Sequence, residues 1–171
     1  KVPDEWFCDD CMEGRKPHNA KSKHVRIKAE HRGERMYMDI LVSHTEAKFH
    51  KWKYVLVIVD EATNKLHAYP MKAKTEVPHQ LSVFLADMRS QNVIVKTIIC
   101  DSDPNFKDNR VRGLLADGDI RVRGLLAGQR LPIHLQFSSP YNQYQNGPAE
   151  SAIRTIKRRG AAILVASKLP T

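Results

Sequence analysis

Tyr54-Val-Leu-Val-Ile-Val59 is the stretch on which the fold turns. Six consecutive apolar residues, most of them β-branched, suit a strand buried on both faces, and such strands belong in the middle of a sheet. Working outward, Met36 to Val42 fits an alternating strand, and Leu66 to Met71 can pair with the central run. Val77, Leu81, Phe84, Leu85 and Met88 then recur at helical spacing, with Pro78 tolerated in a first turn that Thr75 or Glu76 opens. Val93 to Cys100 is a β-branched run that stops at Asp101, a basic helical segment follows Phe106, and Ile133 to Phe137 offers a fifth strand. The predicted order is strand, strand, strand, helix, strand, helix, strand, helix, an α/β arrangement.

The last helix has the clearest pattern. Gly147-Pro148 opens it, because proline at the first helical position gives up an N–H that has no partner there anyway. Ile153, Ile156, Gly160 and Ile163 form one apolar stripe, while Glu150, Arg154, Lys157 and Arg158 share the neighbouring polar face.

The 171 residues, 42% of them hydrophobic, suffice for one domain with a true core. No run of eighteen apolar residues exists and the amino-terminus lacks signal-peptide order, so a soluble intracellular chain without a membrane partner is expected. Three cysteines are too few for a secreted disulfide framework. A net charge of +9 raises the prior for a polyanionic partner. Lysine at position 1 and an end inside a helical pattern suggest a piece of a longer polypeptide. No phosphate-binding glycine loop, dinucleotide fingerprint or serine triad occurs.

Two local features stand apart. Asp-x-Arg-Val-Arg-Gly-Leu-Leu-Ala occurs at 108–116 and again at 119–127, an eleven-residue repeat. Eleven residues are close to three helical turns, so such an insertion lengthens a helix without rotating its apolar face, although Gly113 and Gly124 weaken it. Cys8-Asp-Asp-Cys11 has the spacing of half a zinc site, with His18 and His24 the only nearby histidines that could complete it. Trp6 and Trp52 read as packing residues, and Cys100 as a buried strand residue.

Asp39 lies in an apolar strand on the face of Tyr37 and Leu41, where an unpartnered charge costs several kcal/mol, so it calls for a cation or donors. Asp101 ends another strand and Glu150 opens the last helix. Taken singly, each has a plainer reading, as an edge-strand acid, a turn residue and a first-turn acid facing the helix dipole. Taken together, three acids on regular elements suit a pair of Mg²⁺ or Mn²⁺ ions, which prefer oxygen ligands.

The joint pattern resembles the integrase catalytic core of copia-type long-terminal-repeat retrotransposons, within the retroviral integrase superfamily. The matching segments are Glu34-Arg-Met-Tyr-Met-Asp39, Lys53-Tyr-Val-Leu-Val-Ile-Val-Asp60 with Glu61-Ala-Thr-Asn-Lys, Val95-Lys-Thr-Ile-Ile-Cys-Asp101, and Ser138-Ser-Pro-Tyr-Asn-Gln-Tyr-Gln-Asn-Gly147-Pro-Ala-Glu150. The resemblance implies a ribonuclease H-like fold, a five-stranded mixed sheet flanked by helices. It also implies a catalytic metal site of Asp39, Asp101 and Glu150, and DNA integration by 3′-end processing and strand transfer. Residues 1–14 would then be the remnant of an amino-terminal zinc module whose histidines lie upstream, with Cys8 and Cys11 as partial Zn²⁺ ligands. Residues 15–34 would be a basic linker and 35–171 a carboxy-terminally truncated core.

Element ends and target duplex would be the DNA partners, met by Tyr141, Asn142, Gln143, Gln145 and Asn146 in a polar, aromatic loop and by Arg154, Lys157 and Arg158. The full-length protein would be a homo-oligomer that works in the nucleus at the integration step. This chain departs from the family at Asp101-Ser-Asp-Pro-Asn-Phe106, where glycine and glutamate are usual and Asp103 could partly substitute, and in a longer spacing between second and third carboxylates. Those departures favour the alternative, a decayed or domesticated remnant that binds nucleic acid without catalysis. A ribonuclease H-type nuclease keeps the chemistry, and the 141–147 loop argues against it.

Overall fold

Alternation along the first strand sorts its side chains between two cores. A computed structural model describes residues 27–43, 50–116, 132–138 and 146–167. In β1 (Arg35–Val42), Met36 and Met38 face one side of the sheet and Tyr37 and Leu41 the other. The central run is β2 (Tyr54–Asp60), paired antiparallel with β1 and with β3 (Leu66–Met71). β4 (Thr97–Cys100) runs parallel to β1, and β5 (His134–Phe137) parallel to β4. The resulting order, β3-β2-β1-β4-β5, is a mixed five-stranded sheet.

Parallel neighbours need crossovers, and helices supply them. α1 (Val77–Ser90), entered through a 3₁₀ turn at Lys74–Glu76, precedes β4. α2 (Asn109–Ala116) lies between β4 and β5. Both pack on the face of Met36 and Met38, where Leu81, Phe84, Met88, Ile98 and Phe106 are buried. α3 (Gly147–Ser167) covers the opposite face, with Ala149, Ile153 and Ile156 against Tyr37, Val57 and Ile99. Among the described residues no helix is long and apolar enough to cross a membrane.

Phe84 is fully buried and meets His67 and Tyr69 edge to face, with ring centroids 5.2 and 6.4 Å away. Phe84→Ala leaves a cavity under the sheet, and a loss of about 3–5 kcal/mol is expected in urea unfolding.

Some expectations shift. The run from Val93 joins the sheet only at Thr97. Val95 is nonetheless buried in the α1 core, so the apolar pattern reported burial rather than strand pairing. The backbone there is held otherwise, with Val93 N–H donating to Met88 O and Lys96 N–H to Gly33 O, both at 2.9 Å. Trp52 is 39% exposed and stacks on His50, centroids 4.3 Å apart, because it precedes β2 at the sheet's end instead of entering either core. Cys100 is buried as expected, and burial pushes its thiol up to about 12, which leaves it inert as a nucleophile.

Residues 27–34, in the stretch read as basic linker, are tied to the β2–β3 turn. Gly33 N–H donates to Asp60 Oδ1 and Ala29 N–H to Glu61 Oε2, both at 2.9 Å. Asp60, fully buried, also accepts from Thr63 N–H at 3.0 Å and from the Thr63 hydroxyl. Glu61 further accepts from Tyr37 Oη at 2.8 Å and Arg35 Nη1 at 2.7 Å. Two buried acids thus lock the start of the described chain to the sheet, each with its oxygens satisfied. Of the repeat, the copy at 108–116 supplies α2, and the copy at 119–127 lies outside the described residues.

Candidate active site

Strand register places the first two acids side by side. Met38 is the parallel partner of Cys100, so Asp39 and Asp101 follow at the next position of neighbouring strands, whose backbones run about 4.8 Å apart. Tyr37 and Ile99, two residues before each, both belong to the core under α3, so the acids emerge on the α3 side at the carboxyl end of β4.

α3 brings the third. Ala149 is fully buried against Tyr37 and Ile99, and Glu150 beside it lies exposed in the first helical turn. Asn146, just before the helix, is buried and its Nδ2 donates to Met38 O at 3.4 Å, which ties the helix start to the strand next to Asp39. Its place in the polar 141–146 stretch leads one to expect Asn146 among the DNA-contacting residues. Its side chain turns inward instead, and Oδ1 has no hydrogen-bond partner among the described residues.

Electrostatics registers this proximity. Burial is the largest influence on Asp39 and drives its carboxyl up to about 6, and the nearby charges of Asp101, Glu150 and Asp103 push the same way. The N–H of Ile40, 2.7 Å from Oδ1, offsets part of the rise. A half-buried carboxylate facing other carboxylates is a site with surplus negative charge.

Asp103 is held differently. Burial opposes its charge, but Lys74 and Asn105 outweigh that and hold its carboxyl below the usual range. Both oxygens are taken, Oδ2 by Lys74 Nζ at 2.7 Å and Oδ1 by the Asn105 backbone N–H at 2.9 Å. Asp103 is therefore engaged at both oxygens within the described residues. Lys74 has no motif signature, since its partner is 29 residues away in sequence. Only the need of a half-buried aspartate for a counter-ion could have hinted at it.

The donor set of Asp39, Asp101 and Glu150 fits a hard divalent cation, being all oxygen and mutually repulsive. As placed, no three His, Cys, Asp or Glu side chains among the described residues converge on one metal position. Arg154, Lys157 and Arg158 are exposed on the Glu150 face of α3. Tyr141, Asn142, Gln143 and Gln145, and the pair Cys8 and Cys11, lie outside the described residues.

No protein-family model matches the chain, and no curated protein matches it in sequence. Solved structures do. A chain of the simian T-cell lymphotropic virus intasome, in complex with PP2A regulatory subunit B56 gamma, superposes with a TM-score of 0.63 at 18% identity, over 96% of this chain and 52% of that one. This chain thus spans about half that protein's length. The HTLV-2 integrase catalytic core domain, in complex with magnesium in a trimeric form, gives 0.54 at 17% identity, over 81% of this chain and 76% of that one. At such identities the likeness concerns the fold, which is ribonuclease H-like, as in integrase catalytic cores.

Proposed function

We propose that this chain is the catalytic core of a retroelement integrase, of the copia type suggested by its motifs, which processes and joins DNA ends by metal-dependent polynucleotidyl transfer. The observation that carries the reading is the meeting of Asp39, Asp101 and the first turn of α3 on one side of the sheet, close enough for their charges to oppose one another. When bound, Mg²⁺ or Mn²⁺ would polarise the attacking and leaving oxygens of an in-line phosphoryl displacement. Asp39 would hold such ions from β1, Asp101 from the position just after β4, and Glu150 from the first turn of α3. Arg154, Lys157 and Arg158 would neutralise phosphates running along α3. No side chain need act as nucleophile, because water or a DNA 3′-hydroxyl attacks.

The reading extends to a partial Zn²⁺ site at Cys8 and Cys11, to a homo-oligomer in the full-length protein and to action on nuclear DNA, all by family resemblance. Labelled element-end DNA incubated with a target duplex and Mg²⁺ is expected to give strand-transfer products that a chelator removes. Salt-dependent DNA binding without product under any divalent cation would instead identify a non-catalytic remnant.

A further inference from the structure

Lys74 leaves the sheet just after β3 and reaches the loop after β4, where its Nζ pairs with Asp103 Oδ2 at 2.7 Å. The pair is largely covered, with 34% of the lysine and 16% of the aspartate side chain exposed. Asp103 also organises its own loop. Oδ1 accepts from Asn105 N–H at 2.9 Å and from Asn105 Nδ2 at 2.6 Å, opening the 3₁₀ turn at Pro104–Lys107. Its backbone N–H donates to Asp101 Oδ1 at 3.1 Å. One continuous chain of bonds therefore runs from Lys74 through Asp103 to the carboxylate of Asp101.

A fourth acid beside three others would add charge to the cluster and compete as a ligand. We propose that Lys74 is a positioning residue, an internal counter-ion that withdraws Asp103 from the cation site and braces the loop presenting Asp101. The inference rests on the reading of Asp39, Asp101 and Glu150 as a metal site, and it explains how aspartate is tolerated at 103. Among the described residues the fourth carboxylate, Asp103, is the one paired with a cation from a different element.

Opposite signs in a mutant cycle follow. Lys74→Met leaves the Asp103 charge unpaired beside the site, so Mg²⁺ should bind more tightly, by about threefold or more. Strand transfer should nonetheless slow, because Asp101 loses its brace. Asp103→Asn releases the Lys74 ammonium toward the remaining acids, so Mg²⁺ should bind more weakly by about the same factor. The double variant should return to within roughly twofold of the parent, and Lys74→Arg, which keeps the charge, should stay there throughout. Calorimetric Mg²⁺ titration of the whole chain reads all four, with strand transfer measured alongside.

A loop that is merely loosened would shift both single variants the same way. That result, or two single variants at the parent's affinity, overturns the proposal while leaving the metal site standing. If Lys74→Met fails to fold, Lys74→Gln takes its place: tighter Mg²⁺ binding supports the proposal, and parental or weaker binding overturns it. A parent chain that binds no Mg²⁺ rejects the metal site itself, and this inference with it.

Discussion

Asp39→Asn is expected to abolish strand transfer, by about a thousandfold or more, while making the metal-free chain more stable. The stability gain follows from the carboxyl's position near 6, above the ordinary value of 3.8, with burial the main cause. Between roughly pH 4 and 6 the folded chain holds this proton and the unfolded chain does not, so stability falls as pH rises through that window and stays low above it. A shift of this size corresponds to about 3 kcal/mol undiscounted, and partial exposure reduces the expectation to about 1–2 kcal/mol at pH 7.5. Asparagine carries no such penalty.

Thermal unfolding at pH 4, 5, 6 and 7.5 checks the sign. The parent should lose stability relative to Asp39→Asn across that series, and added Mg²⁺ should raise the melting temperature of the parent alone. Glu150→Gln supplies the contrast. It should abolish strand transfer equally, yet leave metal-free stability within about 0.5 kcal/mol, because Glu150 is exposed. Full activity in either variant would remove the assignment of these acids.

Gly33→Ala should cost the fold about 3–5 kcal/mol, enough to unfold much of a marginal domain. Gly33 sits at φ +84°, where an L-residue carries about 1–2 kcal/mol of strain. A Cβ there would stand 2.3 Å from Ile94 O and 2.8 Å from Val93 Cγ1. The first contact is with backbone and cannot rotate away. Relief requires separating the segment from its neighbours, which breaks Gly33 N–H to Asp60 and Lys96 N–H to Gly33 O, worth about 1 kcal/mol each.

Urea unfolding at pH 7 measures the loss, with Gly113→Ala as the counter-case. Gly113 lies inside α2 with nothing within 4 Å of an added Cβ, so alanine there should stabilise by up to about 1 kcal/mol. Parental stability for Gly33→Ala would mean that residues 27–34 do not belong to the cooperative core.

The patterns legible in sequence are those that depend on near neighbours. The unbroken run in β2, the alternation in β1, the spacing of Val77, Leu81, Phe84, Leu85 and Met88, and Pro148 at the start of α3 each report how one element divides its surface between core and water. Sequence motifs also singled out Asp39, Asp101 and Glu150. Expectations from sequence went astray where exposure depends on a residue's place in the fold. Val93 to Lys96 looked like strand because it is apolar, Trp52 looked like core because it is aromatic, and Asn146 looked like a surface contact because its neighbours are polar. In each case burial or exposure was set by what the fold placed opposite.

Sequence by itself settled the kinds and order of the elements, since hydrophobic periodicity and turn chemistry act over a few residues. Only the tertiary structure decided that β1 lies beside β4 in a register that sets Asp39 next to Asp101. It alone decided that Lys74 neutralises Asp103, and that Gly33 closes on Asp60. Those outcomes depend on strand pairing and charge compensation between segments distant along the chain, where no local pattern names the partner and the balance of burial, hydrogen bonding and chain entropy over the whole domain selects it.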